Sequence, residues 1–418
     1  MNRVCDEAKC TLCMACVNVC PQNAIDLDAD ELGYERVKIN SEKCIDCGLC
    51  QKVCKRREGI MRNVPHTGYA AQAKDKNKLK RSASGGAFQM LAEHILEKGG
   101  VCYGCNSYWN ESGIHARHLR VDKLKDLPLV LNSKYIPSII GESYSEALED
   151  LKTGKTVLFS GTPCQIQGLK AFLNKDYEKL LTVDVICHGI PSTKLFNDYI
   201  KEEEKKYGIK IVDYGFRDKS VSWGSNFYYR YYKNGDNNYK IRMKHLPKEA
   251  SSFEIQYLRG NISRENCYTC SLASKDRVSD FTFGDFWEIE VAHPELVTNG
   301  NPNLVLRHGI SCILANTEKA KKYIDVLEEK MVIYEVDVES IVAHNGNLRV
   351  SSEKGKDRER VLQNLRNSGY ISITNEYETT VGKKMAVYRV KNLLKRCLPD
   401  RVRIMIYNNP KLRKMIFR

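Results

Sequence analysis

Eight cysteines within the first 54 residues form two runs with identical spacing. Each run reads C-x2-C-x2-C-x3-C, and the second follows the first at an offset of 34 residues. This is the ligand spacing of a ferredoxin that holds two 4Fe-4S clusters, in which the last cysteine of each run binds the other run's cluster. The pattern assigns one cluster to Cys10, Cys13, Cys16 and Cys54, and the other to Cys44, Cys47, Cys50 and Cys20.

A zinc site and a disulfide framework are the alternatives for so many cysteines. Zinc sites pair two separate C-x2-C units, whereas here four cysteines fall within eleven residues. The N-terminal residues lack the apolar stretch of an export signal, and no run reaches the roughly 18 apolar residues of a membrane span. We therefore expect a cytoplasmic protein whose seventeen cysteines serve mainly as metal ligands.

The chain is long enough for more than one domain, and its linker-like residues suggest where the domains divide. Residues 55–65 are charged and end in proline, which is typical of a linker. We predict a two-cluster ferredoxin-type domain at 1–60, a mixed α/β domain at 66–345 and a basic helical segment at 346–418. The tyrosine-rich stretch 211–242 alternates like antiparallel strands, which predicts a β-rich insertion in the second domain.

Two further cysteines follow predicted strands. Strand 156–160 leads to Thr162, which suits a helix N-cap, and to Pro163 at the first helical position, so Cys164 falls in the first turn. We expect the helix dipole to stabilise its thiolate. Strand 181–186 ends at Cys187 and His188, and the carboxyl edge of such a sheet is where ligands bind.

Cys267 and Cys270 complete a set of four thiols near predicted loops, enough for a third 4Fe-4S cluster. Spacing alone leaves this open, because Cys164 and Cys187 lie far from that pair in sequence. A Cys164–His188 nucleophile–base pair would instead indicate a hydrolase or transferase. Cys102 and Cys105 fall in a predicted strand and are expected to be buried apolar residues.

Charge is concentrated at the C-terminal end. Residues 383–418 contain twelve Lys/Arg and one acid, a net of +11 out of +14, which leaves +3 for the rest. Nucleic-acid binding by the body is therefore not indicated. Val387, Val390, Leu394 and Cys397 recur at helical spacing among basic residues, and apolar residues 404–407 follow. This predicts a helix that lies on an anionic membrane surface or docks on an acidic partner, or else an ordinary solvated helix packed on the body.

Several motifs in fixed order resemble the coenzyme F420 hydrogenase/dehydrogenase beta-subunit family, here preceded by a fused dicluster ferredoxin. They are S-x-S-G-G at 82–86, S-K-Y at 133–135, G-T-P-C-Q at 161–165, C-H-G at 187–189, C-x2-C at 267–270 and G-D-F-W at 284–287. The Ser-Gly-Gly turn before a predicted helix also suits phosphate binding. The resemblance covers roughly residues 1–345.

The resemblance implies an FAD-binding fold with a cluster beside the flavin. Carried over residue by residue, the FAD contacts would be Ser84, Gly85, Gly86, Ser133, Lys134, Tyr135, Thr162 and Gln165. It also favours the third cluster at Cys164, Cys187, Cys267 and Cys270. Candidate proton donors or flavin-tuning groups are Lys134, His188 and Asp285.

The function that follows is an iron-sulfur flavoprotein oxidoreductase. A ferredoxin-like redox partner would supply single electrons, and a flavin would convert them to pairs for a small organic substrate or a deazaflavin coenzyme. The alternative is an electron-transfer subunit of a larger hydrogenase or dehydrogenase complex, without a substrate of its own. An iron-sulfur scaffold or sensor would leave the Ser-Gly-Gly and Gly-Thr-Pro-Cys turns without a purpose.

Overall fold

The fold of the 418-residue chain is given by a computed structural model. The structure describes residues 3–298 and 304–399, except 221, 222, 225 and 237, and a few single positions beyond 399. Within that part of the chain, no helix has both the length and the apolar character needed to cross a membrane.

Strands and helices alternate through the body of the chain. The strands are β1 (Ile25–Ala29), β2 (Glu35–Ile39), β3 (Thr67–Ala73), β4 (Val101–Asn110), β5 (Gly113–Val121), β6 (Ser138–Ile139), β7 (Val157–Gly161), β8 (Leu180–Val185), β9 (Ile209–Gly215), β10 (Phe227–Lys233), β11 (Arg242–Leu246), β12 (Phe281–Asp285), β13 (Ser311–Ala315) and β14 (Met331–Val336). The helices are α1 (Ala15–Val19), α2 (Leu49–Glu58), α3 (Lys76–Arg81), α4 (Ala87–Glu97), α5 (Ser143–Lys152), α6 (Pro163–Leu173), α7 (Thr193–Tyr207), α8 (Ser252–Leu258), α9 (Ile289–Ala292), α10 (Glu295–Thr298), α11 (Glu318–Lys321), α12 (Ile324–Lys330), α13 (Val338–His344), α14 (Arg358–Ser368), α15 (Ile371–Thr380) and α16 (Met385–Cys397).

Nine of the described strands form one mixed sheet in the order β14-β3-β13-β12-β8-β7-β4-β5-β6. Its centre is parallel, since β4, β7, β8 and β12 pair in the same direction. The expectation of a mixed α/β body is therefore confirmed. Because β7, β8 and β12 are adjacent and parallel, their carboxyl ends meet at one edge, where Cys164, Cys187 and Asp285 follow or end the strands.

The N-terminal cysteine segment packs on the body through a common hydrophobic core. Leu12, Met14 and Val53 lie in the same buried cluster as Phe159 of β7 and Ile166 of α6. Arg56 also donates a hydrogen bond from Nη1 to the Ala171 carbonyl of α6 at 2.9 Å. The small N-terminal unit therefore has its position fixed by burial against α5 and α6.

The predicted linker at 55–65 is wrong in its first part. Helix α2 continues through Lys55 to Glu58, and Arg57 is buried with 5% exposure. In the first cysteine run, Pro21 follows the last cysteine and α1 ends at Val19, whereas Lys55 in the second run allows the helix to continue. A run of charged residues favours a solvated segment, but in this run Arg57 faces the interior.

The predicted antiparallel insertion is confirmed as the three-stranded sheet β11-β10-β9. Its aromatic core includes Phe216 and Phe227, packed with Phe196 of α7 and Phe253 of α8. Residues of α14 and α15, Val361 and Ile373 among them, join the same cluster. The first part of the predicted C-terminal segment thus packs on the insertion.

The basic tail is helical where it is described. In α16, Val387, Val390 and Leu393 expose more than half of their surface. The side chains of Arg389, Lys391, Leu394, Lys395 and Arg396, and residues 404 and 407, lie outside the described part. The predicted amphipathic surface is therefore seen only on its apolar side.

Candidate functional site

The two N-terminal cysteine runs repeat in backbone conformation as well as in spacing. Leu12 and Asp46, 34 residues apart, have φ of 55° and 54°, and Met14 and Gly48, again 34 apart, have φ of 58° and 72°. Left-handed backbone is costly for residues other than glycine, so its recurrence in both runs reflects one loop shape used twice. A loop shape used twice suits two equivalent cluster-binding segments.

Electrostatic contacts among the thiols follow the predicted grouping in part. Cys16 interacts with Cys13, Cys10 and Cys54 of its own set and with Cys50 of the other, while Cys50 interacts with Cys20 and Cys47. Backbone N–H groups point at the sulfurs, such as Ala24 N to Cys20 Sγ at 3.3 Å. Hydrogen bonds of this kind tune cluster potentials. Cys5, which the sequence left without a role, interacts with Cys10 and Cys54.

The second group of thiols lies where α6 begins and β8 ends. Cys187 interacts with Cys267, Cys164 and Cys270, so the structure brings together four cysteines that are more than 100 residues apart at the extremes. In the described residues, no three His, Cys, Asp or Glu side chains converge closely enough for one metal ion. A cubane is wider than a single ion, so the donor chemistry and the loose grouping both fit a 4Fe-4S cluster.

The loop that carries Cys267 and Cys270 is anchored by two buried arginines. Arg264 donates to the Glu35 carbonyl of β2 at 2.6 Å, and its backbone N–H donates to the Ile190 carbonyl at 2.8 Å. Arg277 donates to the Leu272 and Ser274 carbonyls and forms a fully buried ion pair with Asp184, at 2.7 Å. The cysteine pair is thus held against both β8 and the N-terminal segment.

The predicted start of α6 is confirmed, whereas burial opposes the expected stabilisation of a free Cys164 thiolate by the helix dipole. Thr162 and Gln165 form a capping box and Pro163 opens the helix. Burial nevertheless raises the pKa of Cys164 to about 12, despite a hydrogen bond with Thr162. A buried thiol of this kind is inert as a nucleophile, which argues against a Cys164–His188 pair. Iron would provide the positive charge that deprotonation requires.

A cavity of about 710 Å³ opens beside this second thiol group. Its volume falls within the range of about 300–1,000 Å³ that is usual for small-molecule and cofactor sites. Of the residues predicted to contact FAD, all but Gly85 line it: Ser84, Gly86, Ser133, Lys134, Tyr135, Thr162 and Gln165. Cys187, His188 and Gly189 line it too, so the thiol group and the cavity have a common wall.

Gly85 lies directly behind the cavity wall. A Cβ at this position would stand 2.1 Å from the Ala71 carbonyl oxygen and 2.5 Å from the Ser311 nitrogen. Gly86 has φ of 92° and caps α4 without a side-chain bond, so the first N–H groups of an eleven-residue helix remain open toward the cavity. This arrangement suits a phosphate group.

Comparison with known proteins agrees with these two regions. Residues 154–341 match the family model for the C terminus of the coenzyme F420 hydrogenase/dehydrogenase beta subunit, and residues 9–57 match that of the 4Fe-4S dicluster domain. The chain thus combines a segment similar to the C terminus of this beta subunit with a 4Fe-4S dicluster segment. These matches identify an oxidoreductase protein that transfers electrons through iron-sulfur clusters.

One similar solved structure is a chain of the F420-reducing NiFe hydrogenase complex from Methanosarcina barkeri, studied by xenon derivatization. The identity is 16% and the TM-score is 0.41, over 77% of this chain and 93% of the other. No curated protein sequence matches the chain significantly.

Of the three candidate proton donors or flavin-tuning groups, Asp285 is held as an ion. Arg217 contacts both carboxylate oxygens, at 2.7 and 3.0 Å, and Trp223 Nε1 donates to Oδ1 at 2.8 Å. Burial alone would raise the pKa of Asp285, but the Arg217 charge and these hydrogen bonds outweigh it, so the pKa is lowered. The geometry suits anchoring of the cavity wall better than proton donation.

Lys134 and His188 differ in how they are held. Lys134 Nζ donates to the Cys105 and Leu131 carbonyls, at 2.7 and 2.5 Å, and burial lowers its pKa. Burial also lowers the pKa of His188, so its imidazole is neutral at pH 7. No group within the described residues hydrogen-bonds to that ring, which lines the cavity and remains open to a ligand.

Cysteines 102 and 105 occupy β4 as predicted and point to opposite faces. Cys102 is completely buried and hydrogen-bonds to the Ala92 carbonyl, which confirms a packing role. Cys105 instead lines the cavity, beside Lys134.

Sequence reasoning missed Glu254, a buried acid in the cavity wall. It is 2% exposed, and its Oε1 has no hydrogen-bond partner among the described residues. Burial raises its pKa well above the usual range, although the charges of Arg217 and Lys248 oppose the shift. Burial therefore favours the protonated form of this carboxyl. No local sequence motif marks it, because its environment is assembled by the insertion and α8.

Proposed function

We propose that this chain is an iron-sulfur flavoprotein oxidoreductase. In this proposal its cysteine sets relay single electrons to an FAD in the cavity, and the cavity presents that flavin to an organic substrate or a deazaflavin. The observation that carries it is the common wall of the second thiol group and the cavity, which contains Cys187, His188 and Gly189. A flavin supplies the exchange between one-electron and two-electron steps.

The order of the relay is supported by contacts between the dicluster segment and α6. A Cβ on Gly168 of α6 would lie 2.8 Å from Cys13 Cβ and 3.1 Å from its Sγ. Tyr144 Oη lies 2.8 Å from the Cys13 carbonyl and 2.7 Å from the Gln165 carbonyl. The Cys10–Cys54 set is therefore adjacent to α6, which carries Cys164 in its first turn, while the Cys44 set includes the exposed Cys47.

The far end of this relay is where an external donor would approach. Cys47 is exposed, and its neighbours Ile45 and Leu49 are 61% and 37% exposed. An apolar surface around an exposed cluster ligand suits a transient redox partner such as a ferredoxin. Contact of the basic tail with an anionic membrane, and residence in the cytoplasm, stay predictions.

The alternative is an electron-transfer subunit that works only within a larger hydrogenase or dehydrogenase complex. The matched family model describes a beta subunit, which favours this as much as a free-standing enzyme. The two differ in one measurement. A free-standing enzyme reduces a deazaflavin or small acceptor when supplied with reduced ferredoxin alone, whereas a subunit does so only with its partner chains.

The cofactor content tests the proposal directly. We expect the anaerobically purified chain to hold about twelve irons and one FAD. The Gly85→Ala variant should keep its iron and lose flavin, because the new Cβ would displace the 82–86 turn from the Ala71 carbonyl. Gly346→Ala is the matched control, since nothing lies within 4 Å of its Cβ position. Wild-type protein with clusters and no flavin would contradict the proposal.

We expect Glu254 to supply the proton for an acceptor that takes up a proton with its electron pair. In Glu254→Gln the amide cannot act as an acid, so turnover should fall about 10²-fold or more. Activity of the wild type should persist well above the usual glutamate range and disappear as Glu254 ionises. Glu249→Gln, in the same wall, serves as the control and should keep this profile.

A stability measurement separates this role from simple packing. Folding raises the pKa of Glu254, so the folded chain holds a proton that the unfolded chain loses above the ordinary glutamate pKa. Stability from this group is therefore lost as pH rises toward the raised pKa. The melting temperature of Glu254→Gln should fall less between pH 5 and 9 than that of the wild type. An equal dependence of the two melting temperatures on pH would contradict a neutral buried acid.

A further inference from the structure

Arg57 is a buried cation without an acidic partner. It is 5% exposed, its Nη1 donates to Thr11 Oγ1 at 2.7 Å, and its Nε has no hydrogen-bond partner among the described residues. No carboxylate in the described part of the chain forms an ion pair with it. A guanidinium stays protonated even when buried, so an isolated one is strongly unfavourable unless another anion is near.

The groups around Arg57 are cysteine sulfurs from both predicted cluster sites. Its charge interacts with Cys13 and Cys54 of the dicluster segment and with Cys164 of the second thiol group. The neighbouring Arg56 fixes α2 against α6 through the Ala171 carbonyl, which keeps Arg57 between the two groups. The missing anion is therefore supplied by cysteine thiolates and the clusters they bind.

We propose that Arg57 is a counter-cation common to both cluster sites, which raises the reduction potential of each and sets the electron step between them. A fixed positive charge favours the extra electron of a reduced cluster, and the effect is large in a buried region. Reduction adds one electron to the cluster and requires no proton, because Arg57 is already charged. The effect of Arg57 on a cluster at Cys164 rests on the proposed function, whereas its effect on the Cys10–Cys54 cluster does not.

The test is a potentiometric titration of the anaerobic full-length chain, followed by low-temperature electron paramagnetic resonance. In Arg57→Gln, the ratio of reduced to oxidised cluster at a fixed potential should fall about tenfold or more at the clusters adjacent to residue 57. The cluster of the Cys44 set should shift less. Arg57→Lys keeps the charge and should retain most of the wild-type potential.

Lys55→Gln is the matched control, since Lys55 is exposed and its replacement removes an equal charge from the same helix. Unchanged potentials in Arg57→Gln with full iron content would overturn the inference, as would equal shifts in Arg57→Gln and Lys55→Gln. If Arg57→Gln loses iron, Arg57→His replaces it. Its cluster potentials should then fall as pH rises and the imidazole loses its charge, and a response to pH no larger than that of the wild type would overturn the inference.

The outcome also separates this inference from the proposed function. A chain with about eight irons, whose Cys10-set potential still falls in Arg57→Gln, would contradict a third cluster and support the role of Arg57 at the first. Twelve irons with a potential indifferent to Arg57 would support the third cluster and overturn the counter-cation.

Discussion

Replacing Cys187 by serine is expected to leave a chain with about eight irons in place of about twelve, and to abolish reduction of any acceptor in the cavity. Cys187 is the proposed ligand that lies in both the thiol group and the cavity wall. Its loss should interrupt the relay at its last step while the dicluster segment keeps its own clusters. Iron and sulfide per chain, with the visible spectrum during dithionite titration, measure this.

Cys105→Ala gives the matched control for that experiment. Cys105 also lines the cavity, but it lies on β4 beside Lys134, outside the thiol group. It should keep about twelve irons. An equal loss of iron in both variants would show that the cavity wall, and not a ligand, was disturbed; full iron in Cys187→Ser would remove Cys187 from the ligand set.

The second large effect concerns stability. Arg277→Met is expected to lower the free energy of unfolding by about 3–5 kcal/mol, because it leaves the buried Asp184 carboxylate without its cation. Asp184 is completely buried, and its Oδ2 already lacks a partner among the described residues. The loss of Arg277 would also free the Leu272 and Ser274 carbonyls, and with them the loop that carries Cys267 and Cys270.

Lys275→Met provides the comparison for Arg277. Its ion pair with Glu339 is exposed on both sides, so its loss should cost far less stability than the loss of the buried pair. Urea unfolding followed by tryptophan and tyrosine fluorescence measures both variants. Similar small losses in the two would contradict a structural role for the buried pair, and adding Asp184→Asn to Arg277→Met should restore part of the stability.

The sequence predicted what is locally encoded. The 34-residue offset between Cys10 and Cys44 carries into the backbone, and the residues Thr162, Pro163 and Gln165 form the helix start that their types favour. Such features depend on neighbours in the chain, so a single sequence contains the information. The same holds for the strands β7 and β8, whose carboxyl ends position Cys164 and Cys187.

The predictions that failed concern residues whose surroundings depend on packing between distant segments. Arg57 stands in the charged run 55–58, and only the contact of α2 with α6 buries it. Cys164 satisfies every local rule for an activated thiol, yet desolvation by the surrounding core raises its pKa. Glu254 looks like an ordinary helix surface residue until the insertion covers it. In each case burial changes the chemistry of a residue whose local pattern indicates exposure.

The hydrophobic core that joins Leu12, Met14 and Val53 to Phe159 and Ile166 has a consequence for engineering. A donor module attached by a tether can be exchanged by cutting the tether. Here the apolar face of α1 and α2 and its complement on α5 and α6 would have to be transplanted together. A grafted ferredoxin that lacks this face would expose the Phe159–Ile166 surface to water, and the host would lose solubility together with electron transfer from the graft to the cavity.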